Sequence, residues 1–186
     1  MRSAPRKFSS EDALYKAALR ALMRRAHSSF QMRTYLKERS EDPDLARKVL
    51  ARLKSERLID DSRFALEFAR SRAHSRRQGP HRIARELRAR GLPDRDIDAA
   101  VQQIFAHVDE AAVIRKMIER RMRSRSGPFG ERERASLYRM LLRSGFDSEL
   151  IRRELRSTAR SLKEAESSET EPDQDGPGVE ISDTDN

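Results

Sequence analysis

The stretch Leu58–Leu92, LIDDSRFALEFARSRAHSRRQGPHRIARELRARGL, decides the fold. Ile59, Asp60 and Phe64 fit a hydrophobic staple, with Asp60 at the N-cap, Ile59 reaching forward to Phe64, and Asp61 placing negative charge in the first turn. A helix starts here. Phe64 and Phe68, with the small Ala65 and Ala69, keep one apolar stripe at helical spacing. The stripe ends where Gly79 and Pro80 take the N-cap and first position of a second helix, a place where the missing proline N–H is not needed. Ile83, Ala84 and Leu87 form its buried face. Gly91 then takes the left-handed position past the helix end, which glycine adopts without a Cβ penalty, and Leu87 and Leu92 are spaced for the apolar contact of a Schellman ending.

The same ending recurs. Leu141, Gly145 and Phe146 repeat Leu87, Gly91 and Leu92 fifty-four residues later, and Leu36 with Ser40 is a degenerate copy fifty-one residues earlier. Behind each copy lies a further helix, carrying Val49 and Leu53, then Ile97, Val101 and Ile104, then Ile151 and Leu155. Ahead of each lies another, with Leu14, Ala18 and Leu22, then Phe64 and Phe68, then Val113 and Met117 beside Ile114 and Ile118. The pattern predicts an all-α chain of three tandem three-helix repeats, at 11–58, 59–108 and 109–162. A disordered leader is expected at 1–10 and a disordered acidic tail at 163–186. Units of about fifty residues bury little apolar surface alone, so neighbours should stack into an elongated, curved array.

Composition fits that thin architecture. The chain has 186 residues, 36% hydrophobic and 38% charged, with no tryptophan and no cysteine. Disulfides and thiolate ligands are excluded, and neither a membrane-spanning run nor the apolar core of a signal peptide is present, so a cytoplasmic protein is expected. Charge is unevenly spread. From Glu164 to Asn186 there are nine acidic residues and no basic one, so the net charge of +9 becomes +18 for residues 1–163. The tail reads either as a solubilising appendage or as a tethered polyanion that competes with nucleic acid for the basic body.

Seven lysines leave 33 arginines among the 40 basic residues, and arginine forks onto phosphate or carboxylate and stacks on flat groups. The densest cluster is Arg70, Arg72, Arg76 and Arg77 with Arg82, Arg85 and Arg88. Arg120, Arg121, Arg123 and Arg125 stand at the equivalent place in the third unit, and Arg24 and Arg25 in the first. Stacked repeats would align these clusters as a stripe able to follow a phosphate backbone or an acidic protein groove. The plain reading of any one of them is a solvated helix face with local pairs such as Glu67 to Arg70 and Glu86 to Arg90. The seven phenylalanines are spaced mainly as core, which argues against a stacking platform for single strands. Phe129, in SGPFG, either faces solvent or packs under its loop.

Catalytic groupings are missing. Asp60 with Asp61 reads as a helix start rather than an acid–base pair. His27, His74, His81 and His107 have no zinc-like spacing, and no glycine-rich loop precedes a Lys-Ser or Lys-Thr. No cofactor, no metal and no enzymatic activity are expected.

The string IDDSRFA, the arginine-rich helix after it, GPHRIARELRARGL and a third helix resemble the RecX family of bacterial regulatory proteins. ALYKAALRALMRRAHSS, with Arg25, Ala26, His27 and Ser28, extends the resemblance over roughly Asp12 to Arg160. The segment SRSGPFGERER departs from it. The resemblance implies a protein that binds RecA recombinase filaments on single-stranded DNA and restrains their ATP hydrolysis, strand exchange and stimulation of LexA self-cleavage; a monomer is expected. Naked single strand would be bound weakly. A non-specific nucleic-acid-binding module, or a scaffold for another acidic protein, would carry the same basic face.

Overall fold

The computed structural model describes residues 7–124 and 129–168. Its helices are α1 (Glu11–Arg24), α2 (Ser29–Arg39), α3 (Pro43–Ser55), α4 (Asp61–Arg76), α5 (Pro80–Arg88), α6 (Asp94–Phe105), α7 (Glu110–Arg123), α8 (Glu131–Ser144) and α9 (Ser148–Ser168), with no β-strand among the described residues. Short polar side chains start many of them. Asp60 accepts from the Arg63 amide at 3.0 Å, Asp109 from Ala112 at 2.9 Å and Asp42 from Asp44 at 2.8 Å. Ser28 and Gln31 form a reciprocal capping box on α2. Each such cap contributes about 1 kcal/mol by satisfying amides that have no partner within the helix.

Extensive helix contact falls within successive triplets: α1, α2 and α3 pack mutually, as do α4, α5 and α6, while α7 and α8 both pack on α9. Each triplet encloses its own core. Leu14, Met32, Leu36 and Leu53 fill the first, Ile83, Leu87 and Ile97 the second, and Ile114, Ile118, Leu141 and Ile151 the third. In the second, the fully buried positions of α4 are Ala65 and Ala69. Phe64 and Phe68 sit at the flank, half-buried, with their rings stacked at 6.1 Å. Small residues at the contact let α4 approach α6 closely, which displaces the rings. Ile59 is buried in the first core whereas Phe64 packs on the second, so the expected staple is replaced by a tether that fixes the start of α4 to the preceding unit.

The units meet end to end. Ser28, at the N-cap of α2, donates through Oγ to the Arg90 carbonyl at 2.7 Å, just past the end of α5. At the N-terminus of α5, the Gly79 amide donates to the Ser144 carbonyl at 2.8 Å and the His81 amide to Gly145 at 3.1 Å, at the end of α8. The three middle helices therefore run head to tail, amide end against carbonyl end, so their dipoles align favourably. The first and third units lie at opposite ends of α5, whose nine residues span about 13 Å, and the array is elongated.

Both predicted Schellman endings form. Gly91 has φ +72° and Gly145 φ +92°. Leu92 donates to the Leu87 carbonyl and Phe146 to Leu141, each at 3.4 Å. The degenerate copy does not follow. Ser40 is extended, with φ −97° and ψ 142°, and pairs as an isolated parallel bridge with Phe8. The Phe8 amide donates to Arg39 at 2.8 Å and its carbonyl accepts from Glu41 at 3.2 Å, while its ring packs on the first core. The end of the expected leader is thus structured, because Phe8 bridges to Ser40 and its amide caps the carbonyl end of α2. Residues 1–6 lie outside the described residues. At the other terminus α9 runs to Ser168, past the expected start of the tail at 163, and Arg160 pairs with Glu164 at 3.6 Å on it. Residues 169–186 lie outside the described residues.

The junctions predict an order of glycine sensitivity. A Cβ at Gly145 would fall 2.3 Å from Arg82 Cβ and 2.4 Å from its backbone nitrogen, whereas the three atoms nearest to one at Gly91 all belong to the Phe30 side chain, the first being Cγ at 2.3 Å. Both substitutions also carry left-handed strain of about 1–3 kcal/mol. Gly145→Ala should lower stability more than Gly91→Ala, and each by more than about 1 kcal/mol, in equilibrium denaturation. Parent-like midpoints would mean these helix ends are wrongly placed.

Candidate functional site

Each unit ends its first helix in positive charge. Arg24 closes α1 with Arg25 beyond it, Arg76 closes α4 with Arg77 as a left-handed cap at φ +49°, and Arg120, Arg121 and Arg123 lie in the last turn of α7. A cation at a carbonyl end is locally favourable, so placement alone does not demonstrate a ligand. Partnership separates the predicted residues more sharply. Arg24, Arg70, Arg76, Arg77, Arg85, Arg120, Arg121 and Arg123 are exposed. None of the eight forms an ion pair with another described residue. Arg125 lies outside the described residues.

The others are committed to the fold. Arg82 donates through Nε to Glu86 at 3.1 Å and through Nη1 to the Arg143 carbonyl of the third unit at 3.1 Å. Arg72 approaches the second Glu86 oxygen at 3.4 Å, and buried Gln78 donates to the first at 3.1 Å. Arg72 and Arg90 stack on the Phe68 ring at 4.7 and 4.4 Å. Burial alone would push the Glu86 carboxyl up, but bonds from Arg82 and Gln78 and the charge of Arg72 outweigh it and hold the carboxyl below the ordinary range. Glu86 is therefore the hub of the second unit. Arg88 pairs with Asp94 at 2.8 Å, and Arg25 bonds Gln31 at 3.4 Å. Glu67 pairs with Arg63 at 3.1 Å and not with Arg70, which leaves Arg70 open, while Arg90 stands 4.0 Å from Glu86.

Asp60 caps α4 as expected, and Asp61 does more than place charge in its first turn: it accepts from the Ser29 amide at 2.7 Å, across the first junction. Phe129 packs on the third core, and Phe30 is 49% exposed above Gly91, contrary to its reading as core. No three His, Asp or Glu side chains among the described residues gather as a metal ligand set. No helix among them is long and apolar enough to cross a membrane.

A further basic cleft escaped the sequence reading. Between α8 and α9, Arg134, Arg139, Arg152 and Arg156 surround Tyr138, Ala135 and Leu155 in a depression of about 490 Å³. Arg152 lies over the Tyr138 ring at 5.4 Å and donates to its hydroxyl at 3.2 Å. The four-residue spacing of Arg152 and Arg156 beside Leu155 was the available signal. By contrast, the groove at the first junction mixes Arg33, Arg57 and Arg95 with Asp60, Asp61 and Asp96.

End-to-end three-helix units with arginines grouped at helix ends define a basic helical-repeat protein. Family models for the first, second and third three-helix domains of RecX match residues 15–53, 60–101 and 109–155 respectively. The chain is 40% identical over 143 residues to the regulatory protein RecX of Halorhodospira halophila, covering 77% of this chain and 86% of that one. It is 34% identical over 141 residues to the regulatory protein RecX of Pseudomonas fluorescens strain Pf-5, covering 76% and 88%. The crystal structure of RecX from Lactobacillus salivarius superimposes with a TM-score of 0.66 at 19% identity, covering 79% of this chain and 95% of that one. The chain belongs to the RecX family.

His27 gives this site a pH signature. It is buried beside the first junction with Nδ1 2.9 Å from the Arg25 carbonyl, and burial, reinforced by the Arg25 charge, lowers its pKa. A depressed folded value means the unfolded chain binds the proton more readily, so this stability is present above about pH 6.5 and lost as pH falls through the folded pKa. His27→Asn keeps an N–H donor and removes the titration. The difference in stability between the two proteins should change between pH 7 and pH 5.5, and comparing them cancels the opposite contribution of Glu110, whose carboxyl burial raises. A constant difference would remove His27 from the account.

Proposed function

We propose that this protein binds RecA nucleoprotein filaments and restrains their ATP hydrolysis, strand exchange and co-protease activity. Membership of the RecX family, together with arginines at the first-helix end of every unit that pair with no described carboxylate, carries the reading. An elongated array with charge clusters at intervals suits a helical partner whose phosphates and acidic side chains also recur at intervals. The units at 11–58, 59–108 and 109–162 each contribute one cluster. Binding across neighbouring protomers hinders the relative motion that hydrolysis and exchange require, so the protein acts by occupancy and hydrolysis remains the partner's. It works as a cytoplasmic monomer, and RecA-coated single strand is its target in preference to naked strand.

Titration into RecA with single-stranded DNA and ATP tests this directly. Hydrolysis should fall and saturate near a fixed ratio to RecA protomers as the protein coats the length of the filament. No inhibition at any ratio would overturn the reading, and equal affinity for naked and RecA-coated strand would leave a non-specific nucleic-acid binder. Reversing Arg70, Arg76, Arg77 and Arg85 to Glu should weaken inhibition at least about tenfold and flatten its salt dependence. The same reversal at Lys16, Arg20, Lys37 and Lys48 should do much less; equal losses would mean that charge acts only in bulk.

A further inference from the structure

The α8–α9 cleft lies outside the clusters that end the first helices, and its chemistry is more specific than theirs. Two of its arginines are held: Arg134 by Glu131, and Arg152 by Glu149 and the Tyr138 hydroxyl. The other two, Arg139 on α8 and Arg156 on α9, are exposed, one on each lip, and neither pairs with a described carboxylate. Beneath them lie Leu155, Ala135 and the half-buried Tyr138. Arg139 and Arg156 are therefore the two guanidiniums of the cleft left to hold phosphate, while Arg152 stays with the Tyr138 ring. The floor offers a tyrosine ring with a guanidinium 5.4 Å from its centroid, groups on which a nucleobase rests without sequence preference.

We propose that this cleft is a nucleotide subsite, in which Arg139 and Arg156 hold backbone phosphates of single-stranded nucleic acid and one base stacks on the Arg152–Tyr138 pair. The tyrosine face in the floor favours a base over an acidic peptide, which would use the guanidiniums and the apolar floor but not the ring face. The subsite rests on single-stranded DNA being part of this protein's target, and it is testable without RecA.

A short oligothymidylate carrying one 5-iododeoxyuridine, irradiated with the full chain, should cross-link to the peptide containing Tyr138. Arg139→Glu with Arg156→Glu should weaken oligothymidylate binding about tenfold and lower its salt slope by about 1.4, two contacts at roughly 0.7 each on single strand. Reversing Arg20 and Lys48 in the first unit should change neither comparably. A cross-link only in the α4–α5 region, or equal losses from both pairs, would overturn the subsite. So would a peptide of residues 178–186, GVEISDTDN, binding the cleft more tightly than the oligonucleotide, since that makes it a site for acidic peptide. If the cleft variant loses oligonucleotide affinity yet still inhibits RecA hydrolysis, the subsite stands and is separate from inhibition; if inhibition is absent in the parent, only the filament reading falls.

Discussion

A helix leaves carbonyls without partners at one end and amides at the other, and water normally satisfies both. In this protein the two kinds of end satisfy each other across unit boundaries. The amides of Gly79 and His81 meet the carbonyls of Ser144 and Gly145, and the Ser28 hydroxyl meets the Arg90 carbonyl while also capping its own helix. Such bonds are individually modest, about 1 kcal/mol net, but they require approach distances that any Cβ at Gly79 or Gly145 would block. The rest of the architecture depends on that approach. It fixes α2, α5 and α8 head to tail and so sets the spacing of the helices that flank them.

The same constraint divides the arginines. Near the junctions they are consumed by structure: Arg82 spans from Glu86 to the third unit, and Arg72 and Arg90 cover Phe68 around the same carboxylate. Others, Arg24, Arg76, Arg77, Arg120, Arg121 and Arg123 at the ends of α1, α4 and α7, are exposed without ion partners among the described residues. A chain this basic can keep its second unit together because Glu86 gathers several guanidiniums at one point. The surplus charge is thereby left at the helix ends.

Much of the fold is legible in local sequence, because capping and Schellman endings are dictated by a few residues at fixed offsets. Asp60, Gly79–Pro80, Gly91 and Gly145 all stand where those rules put them. What local rules could not reveal is which neighbour a residue packs against. Ile59 looks like a staple for Phe64 but belongs to the first core, and Ser40 looks like a weak copy of Gly91 but adopts an extended backbone because Phe8 pairs with it. The site was harder to read for the same reason. Sequence identifies an arginine-rich patch, while only tertiary contacts distinguish Arg82, which is structural, from Arg85, which pairs with no described residue, or bring Arg139 and Arg156 to opposite lips of one cleft.

The end-to-end junction is tested most directly by Gly79→Ala. Gly79 has an ordinary φ of −79°, so replacing it removes unfolded-chain entropy and would normally raise stability by about 0.4–1 kcal/mol. Its Cβ would fall 2.4 Å from the Gly145 carbonyl oxygen, on backbone that cannot turn aside as a side chain can. Equilibrium denaturation of the full chain should show a loss of more than about 1 kcal/mol, with the third unit unfolding ahead of the second as their coupling weakens. Unchanged or raised stability would contradict the account.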